Sequence, residues 1–292
     1  MILFTVSILK KRKNEKMNKA DQYYKQNLYK LTTKGYKDEN PRPKYKDGTP
    51  AKSIFINQIF EEYDLLNGEF PFTTLRPTAV KTGIKEVMWI YQQQTASLDA
   101  AKQTGINWWD EWDIGNGTIG QRYGATVRKW DLMNKLLHSL KQDPFSRRHI
   151  MNLYQESDLQ ETNGLHPCAY ETIWNVRKLD GKFILDLTLI QRSSDYIMAN
   201  WINKAQYYAL LLMVCSDLGY KPGKFCHYVH NLHIYDRHLN AANELILKEP
   251  LDKSPALELN HSKSFYEIKL EDFTIEGFNS PQKLKADLEI AI

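Results

Sequence analysis

Cysteine is scarce in this chain. Its 292 residues include three, at positions 168, 215 and 226. Their wide spacing offers neither a disulfide framework nor a CxxC metal site. An odd, sparse set suits a reducing compartment, so the expectation is a cytoplasmic protein without a bound metal. Long apolar runs are also missing. No stretch approaches the ~18 consecutive apolar residues of a membrane-spanning helix, so no membrane association is expected. Charge of one sign is missing too. Residues 1–16 carry five Lys/Arg and one Glu, which accounts for the whole formal net charge of +4. Residues 17–292 hold 34 basic and 34 acidic side chains. Binding to nucleic acid draws on concentrated positive charge, so nucleic acid is not expected as the primary partner.

What is present is an ordinary globular chain. A composition of 42% hydrophobic and 25% charged residues excludes a disordered or fibrous protein. A chain of this length buries enough surface to fold without staples. The opening MILFTVSILKKRKNEK places its apolar run before its basic run, the reverse of a signal peptide. The expectation is a disordered extension over 1–16, from an upstream start, and one domain over 17–292. No repeat, low-complexity linker or composition break divides that domain.

The pattern mixes helices and strands. Residues 21–35 read as a helix stopped by Gly35. Residues 36–50, with three Pro and one Gly, read as loop, and 53–66 alternate as a strand. Residues 78–94 form an amphipathic helix on Val80, Ile84, Val87 and Tyr91. Residues 105–124 are irregular. Residues 129–142 read as a helix with Met133, Leu136, Leu137 and Leu140 on one face, ended by Asp143-Pro144. Two strands, 170–179 and 183–193, flank Asp180-Gly181, a hairpin signal. Residues 202–218 are apolar on most sides and end at Gly219, a buried central helix. A strand over 224–236, a short helix over 239–248 and a β-like C-terminal stretch follow. The fold class is α/β or α+β.

Several side chains are candidates for chemistry. Cys168 lies in LHPCAYET, after a proline and at a strand start. A catalytic thiol needs exposure and nearby positive charge, because the thiolate is the nucleophile. A buried inert thiol is the commoner state of a free Cys, and Cys215 and Cys226 read that way. Arg42, Arg147, Arg148 and Arg192 offer forked donors for an anion such as phosphate; a solvated surface charge is the plainer reading of each. Glu86 lies at the edge of an apolar stripe, where desolvation raises a carboxyl pKa toward proton relay; a salt-bridged helix Glu is the alternative. Asn203 opens the buried helix and either reads a heterocycle edge or caps the helix. His233 and Tyr235 share one strand face and offer hydroxyl ligands, or serve as satisfied core polar groups. Trp108, Trp109 and Trp112 suggest an aromatic platform or ordinary aromatic packing.

Taken in order, these residues resemble the thymidylate synthase family. The matching segments are RPKYKDGTPAKSIF (42–55), FPFTTLRP (70–77), KEVMWIYQ (85–92), WWDEW (108–112), GTIGQRYG (117–124), DPFSRRHI (143–150), LHPCAYET (165–172), QRSSDYIMANWINKAQY (191–207), NLHIYDRH (231–238) and the terminal AI (291–292). They keep family order and cover about residues 20–292. The cysteine loop, the QRSxD segment and the HxY segment are the specific ones.

The resemblance implies a thymidylate synthase-like fold: a large mixed sheet packed on a long buried helix, with a sheet-mediated homodimer. It implies reductive methylation of dUMP to dTMP, with 5,10-methylenetetrahydrofolate giving the one-carbon unit and the hydride. Cys168 matches the nucleophile that adds to C6 of uracil. Arg192 is implied to favour the thiolate and hold phosphate with Ser193 and Arg42, while Arg147 and Arg148 match the pair donated across the dimer interface. Asn203 matches the reader of the uracil N3/O4 edge, and His233 and Tyr235 match the ligands of the ribose 3′-hydroxyl. Asp195 resembles the pterin contact, beside the substrate set. Glu86 matches the carboxylate that orders a proton-relay water, and Tyr123 the phenol that assists proton loss at C5. Trp108 and Trp109 are implied on the folate side, Arg76 falls where the family usually has Lys near the folate glutamate, and Ala291 and Ile292 match the closing C-terminus.

The chain departs from most members of the family at four places. Ala169 stands in place of His, Asn231 in place of Asp, and Ala199 and Trp201 in place of Gly and Pro. A bacterial subgroup that reads PCA, TTLRP and NNLHIYD shares features of this kind. The rival on the same scaffold is a dUMP hydroxymethylase, with water replacing hydride. A nucleic-acid-binding or structural protein is the rival from another class.

Overall fold

The computed structural model describes residues 17–260, 262–278, 283–286, 288, 289 and 291. The expectations for residues 1–16 and for Ile292 lie outside the described residues.

A six-stranded sheet organises the chain, in the order β1-β2-β6-β5-β4-β3. The strands are β1 (Tyr36–Lys37), β2 (Ser53–Asp64), β3 (Ile150–Asn152), β4 (Ala169–Leu179), β5 (Lys182–Asp195) and β6 (Lys221–Tyr235). β4 and β5 form the hairpin expected at Asp180-Gly181, whose φ angles of 48° and 78° are those of a primed turn. β5 and β6 run parallel. Parallel neighbours need a long crossover, and it is the helix Asn200–Leu218. This helix keeps 14 residues buried and ends at Gly219 in the left-handed conformation, where the lack of a Cβ removes the strain. The fold is therefore mixed α/β, with a large mixed sheet on a long buried helix, as expected.

The other helices wrap this core. α1 (Lys19–Lys34) starts where the Asn18 side chain accepts from the Asp21 backbone N–H at 2.8 Å. α2 (Val80–Val87) continues as a π turn over Met88–Gln92. α3 is Leu98–Gln103, a helix the pattern does not announce. α4 (Gly124–Trp130) and α5 (Leu132–Gln142) divide the expected 129–142 helix, because Asp131 adopts φ 51°. The short carboxamide and carboxylate side chains tolerate that region, and an Asp in a helical pattern hides the break. α6 is Glu156–Glu161, α7 is the crossover helix Asn200–Leu218, and α8 is Leu239–Leu247. A small antiparallel pair, β7 (Ala256–Leu259) and β8 (Phe273–Glu276), follows. Within the segment expected as loop, Tyr36–Lys37 pairs with β2 as a two-residue strand.

The β5–α7–β6 unit positions the chemistry. The last residues of β5, the first turns of α7 and the last residues of β6 meet at one end of the sheet. Clefts outside the carboxyl ends of strands in such units are where ligands bind.

Candidate active site

A cleft of about 820 Å³ opens at that end of the sheet. Cys168 is half-buried in it, at the foot of β4. The Cys168 backbone N–H donates to the Tyr123 hydroxyl at 3.1 Å. Arg192 Nη2 points at Cys168 Sγ, 3.4 Å away. The same guanidinium is braced by the cysteine loop itself: Nε donates to Pro167 O at 3.0 Å and Nη2 to His166 O at 2.8 Å. Burial pushes the Cys168 thiol above its ordinary range, and the charges of Arg192 and Arg42 pull it back down. Cys215 and Cys226 are buried, and desolvation raises both thiols, Cys226 to about 11. Only Cys168 has arginine charge beside it and access to the cleft, which is the setting a nucleophilic thiol needs.

The far wall is dry. Glu86 is 6% exposed, on α2, and burial pushes its carboxyl up to about 7, against hydrogen bonds from Trp108 and Gln206 that act in the opposite direction. The Trp108 indole N–H donates to Glu86 Oε2. A carboxyl with a pKa near neutrality is suited to exchange a proton at working pH. Tyr123 has φ 46°, a conformation a bulky residue adopts only when its surroundings impose it. Burial and the nearby Cys168 hold its phenol well above the usual range. Trp109 and Tyr123 meet edge to face at 5.3 Å, and Trp109 and Trp112 at 5.4 Å. Of the two readings of these aromatics, the packing is observed, and Trp108, Trp109 and Trp112 also line the cleft.

A second group of cleft residues comes from the β5–α7–β6 unit. Ser193 Oγ and Asn231 Oδ1 approach His233 Nδ1 at 3.5 and 3.2 Å, and burial lowers the His233 pKa, favouring the neutral ring. Tyr235 packs on His233 at 5.2 Å and faces the cleft. Asp195 Oδ1 accepts from the backbone N–H groups of Ile197 and Met198, which pins the turn into α7. Arg42 stands exposed at the rim. Its loop is held by Tyr45, whose hydroxyl donates to Asp236 at 2.5 Å. The reading of Asn203 as a helix cap is corrected. α7 begins three residues earlier, at Asn200, with Ala199 at the cap position, so Asn203 lies inside the first turn. Its side chain instead accepts from Gln191 Nε2 at 3.2 Å and donates to Gln206 Oε1 at 2.8 Å.

The structure brings Cys168, Glu86, Tyr123, Arg192, Arg42, Ser193, Asp195, Asn203, His233, Tyr235, Trp108, Trp109 and Ala291 to this one cleft. It does not bring Arg147 or Arg148 there. Both are exposed, before β3, and line no part of it. Nor does Arg76 reach it. Its guanidinium donates to Ile197 O and flanks a smaller neighbouring pocket behind Met198 and Ile202.

Four participants were missed by sequence reasoning. Gln191 and Gln206 hold Asn203. Tyr207 lines the cleft and shares a hydrogen bond with Tyr91 at 3.0 Å. Lys204, wholly buried on α7, forms an ion pair with Glu61 at 2.5 Å and stands 3.5 Å over the Trp201 ring. A lysine within an otherwise apolar helix was the available signal. It also accounts for one departure, since Trp201 supplies a face for that cation.

A thiol beside a guanidinium, a carboxyl poised near neutrality and an amide in the wall of an aromatic cleft fit an enzyme that works through a thiol nucleophile. A family model for thymidylate synthase matches residues 22–290. Two relatives, both called thymidylate synthase, align over 280 residues, covering 94% of this chain and the whole of each relative. One from Lactococcus lactis subsp. lactis (strain IL1403) is 49% identical, and one from Streptococcus pneumoniae (strain 70585) is 46% identical. The solved structure of a thermostable thymidylate synthase A from Bacillus subtilis superposes with a TM-score of 0.85 at 31% identity, covering 93% of this chain and 99% of that one. The chain belongs to the thymidylate synthase family.

Proposed function

We propose that the chain is a cytoplasmic thymidylate synthase whose single catalytic domain spans 17–292 and converts dUMP to dTMP. The observation that carries this reading is the Cys168–Arg192 contact at 3.4 Å, set opposite the desolvated Glu86 in one cleft. The Cys168 sulfur adds to C6 of the uracil ring. Arg192, Ser193 and Arg42 hold the phosphate, and His233 and Tyr235 hold the ribose. Asn203 reads the N3/O4 edge. Tyr123 assists proton loss at C5, and Glu86 orders the water that carries protons to and from the ring. The apolar faces of Val87, Ile90, Trp108, Trp109 and Leu165 suit a flat heteroaromatic partner, with Asp195 available to its polar edge. That partner, 5,10-methylenetetrahydrofolate, supplies the one-carbon unit and a hydride and leaves as dihydrofolate. Arg76, in the neighbouring pocket, faces its glutamate end.

The exposure of Arg147 and Arg148 supports a homodimer in which each chain donates this pair to its partner's phosphate site. The outer face of the sheet supports the same arrangement. It presents Phe60, 54% exposed, paired across strands with Tyr228, and Ile173, 36% exposed. A sheet face with uncovered large apolar side chains needs a cover.

Product analysis from dUMP and methylenetetrahydrofolate tests the function. Equal amounts of dTMP and dihydrofolate are expected. Hydroxymethyl-dUMP with tetrahydrofolate would overturn it in favour of hydroxymethylation.

A further inference from the structure

Behind Asn203 lies a line of buried polar groups that the reaction itself does not use. His227 is 1% exposed, on β6. Its Nε2 lies 2.5 Å from Gln191 Oε1. Gln191 Nε2 donates to Asn203 Oδ1, and Asn203 Nδ2 donates to Gln206 Oε1. Gln206 and Glu86 line the same cleft. An amide has a direction, oxygen at one end and NH₂ at the other. In a row of amides, a group fixed at one end decides which way all of them face.

At the His227 end of the row, Gln191 presents an oxygen, which only a ring N–H can satisfy. His227 must therefore carry its proton on Nε2. Two features hold the ring in that form. His227 lies directly opposite Glu61 in the β2–β6 register. The Lys204 ammonium, ion-paired with Glu61, adds its positive charge to desolvation in keeping the imidazole neutral. His227 Nδ1 has no hydrogen-bond partner among the described residues, so the single proton is left for Nε2. Glu61 is itself fully engaged by Tyr63, Tyr196 and Asn27 at 2.7 to 3.1 Å, so the ion pair is fixed.

The geometry points to His227, set beside the Glu61–Lys204 pair, as a positioning residue that sets the amide direction of Asn203 and with it the choice of nucleobase. In the observed direction, Asn203 keeps one N–H and one oxygen lone pair for a ligand. That arrangement meets a ring offering an N–H beside a carbonyl, as uracil does. The reversed direction meets a ring nitrogen lone pair beside an amino group, as cytosine does. A reversal of Gln191, permitted once His227 no longer donates, costs the site its discrimination. This inference rests on the reading of the cleft as a dUMP site.

The test compares His227→Leu, which removes the donor, with His227→Gln, whose NH₂ can still donate to Gln191. The wild type is first assayed for dTMP formation. A wild type that ignores dUMP would overturn the function reading and, with it, this one. With activity established, competition between dUMP and dCMP gives the ratio of their kcat/KM values. His227→Leu is expected to lower that ratio by at least roughly fivefold, the low end for a buried polar group left unpaired. His227→Gln is expected to keep it. An unchanged ratio in His227→Leu, or an equal loss in both variants, would overturn the positioning role while leaving the function standing. Nitrogen-15 NMR of the wild-type imidazole serves if His227→Leu does not fold. A protonated Nε2 with a bare Nδ1 at neutral pH is expected, and the opposite tautomer or an imidazolium overturns the proposal.

Discussion

Arg42, Arg147 and Arg148 stand exposed, whereas Glu86, Tyr123 and Tyr207 are sealed into the dry wall of the cleft. The two regions do different work through opposite physics. The exposed arginines stand in water, and their forked donors fit an anion such as phosphate well. The buried groups are stripped of water, so their charged forms are disfavoured. Glu86 is pushed up to about 7, and the phenols of Tyr123 and Tyr207 rise above their usual range. Cys168 lies on the boundary, desolvated from one side and drawn toward the thiolate by Arg192 and Arg42 from the other. The comparison teaches that exposed charge and desolvated neutrality are kept apart, with Cys168 where they meet.

The boundary is the place to break first. Cys168→Ala is expected to lower turnover by on the order of 10⁴-fold or more. Equilibrium binding of dUMP should stay within about tenfold, a span of about 1.4 kcal/mol. A variant that keeps a rate near wild type removes the nucleophile role. The dry wall comes next. Glu86→Gln should lower kcat by roughly 10²-fold or more, as loss of a proton-relay group does. It should also change the pH dependence of stability. The folded-state pKa of Glu86 lies above its ordinary value of 4.5, so its contribution is fully present below that value and is lost as pH rises through about 7. The glutamine variant lacks this loss. Thermal unfolding at pH 5 and pH 8 should show wild type losing on the order of 2 kcal/mol more than the variant across that range. Parallel pH profiles would contradict a buried, titrating Glu86.

Smaller effects sharpen the contrast. Asn203→Asp should shift the dUMP/dCMP ratio of kcat/KM toward dCMP by roughly tenfold, because a neutral acid can pair with the cytosine edge where the amide leaves buried groups unpaired. An unmoved ratio counts against Asn203 as the base reader. Least in size, Arg192→Ala should slow alkylation of Cys168 by iodoacetamide at pH 7 and move its pH profile upward, since a guanidinium 3.4 Å from Sγ is lost. Unchanged kinetics would mean that Arg192 serves the ligand alone.

Sequence pattern made the scaffold legible wherever the signal was local. Asp180-Gly181 announced the β4–β5 hairpin, and the apolar run ending at Gly219 announced α7. The division at Asp131 was hidden, because an Asp in the left-handed region leaves no mark on hydrophobic periodicity. The cap alternative for Asn203 fell because the helix extends back to Asn200, whose residues look like loop in sequence. The site was legible as motifs, yet its supporting pairs were not. Glu61 and Lys204 are separated by about half of the domain in sequence, and His227 looked like one more alternating strand residue. Such pairings are set by the β2–β6 register and the α7 crossover, which no short window contains.

The central claim is that one chain supplies a complete dry wall and an incomplete set of arginines, the rest coming from a second copy. Mixing Arg147→Ala with Arg192→Ala protein tests it most directly. A mixed dimer holds one site with both lesions and one with neither, so dTMP formation should reappear from two inactive preparations. Confirmed subunit exchange without any return of activity would contradict the shared site.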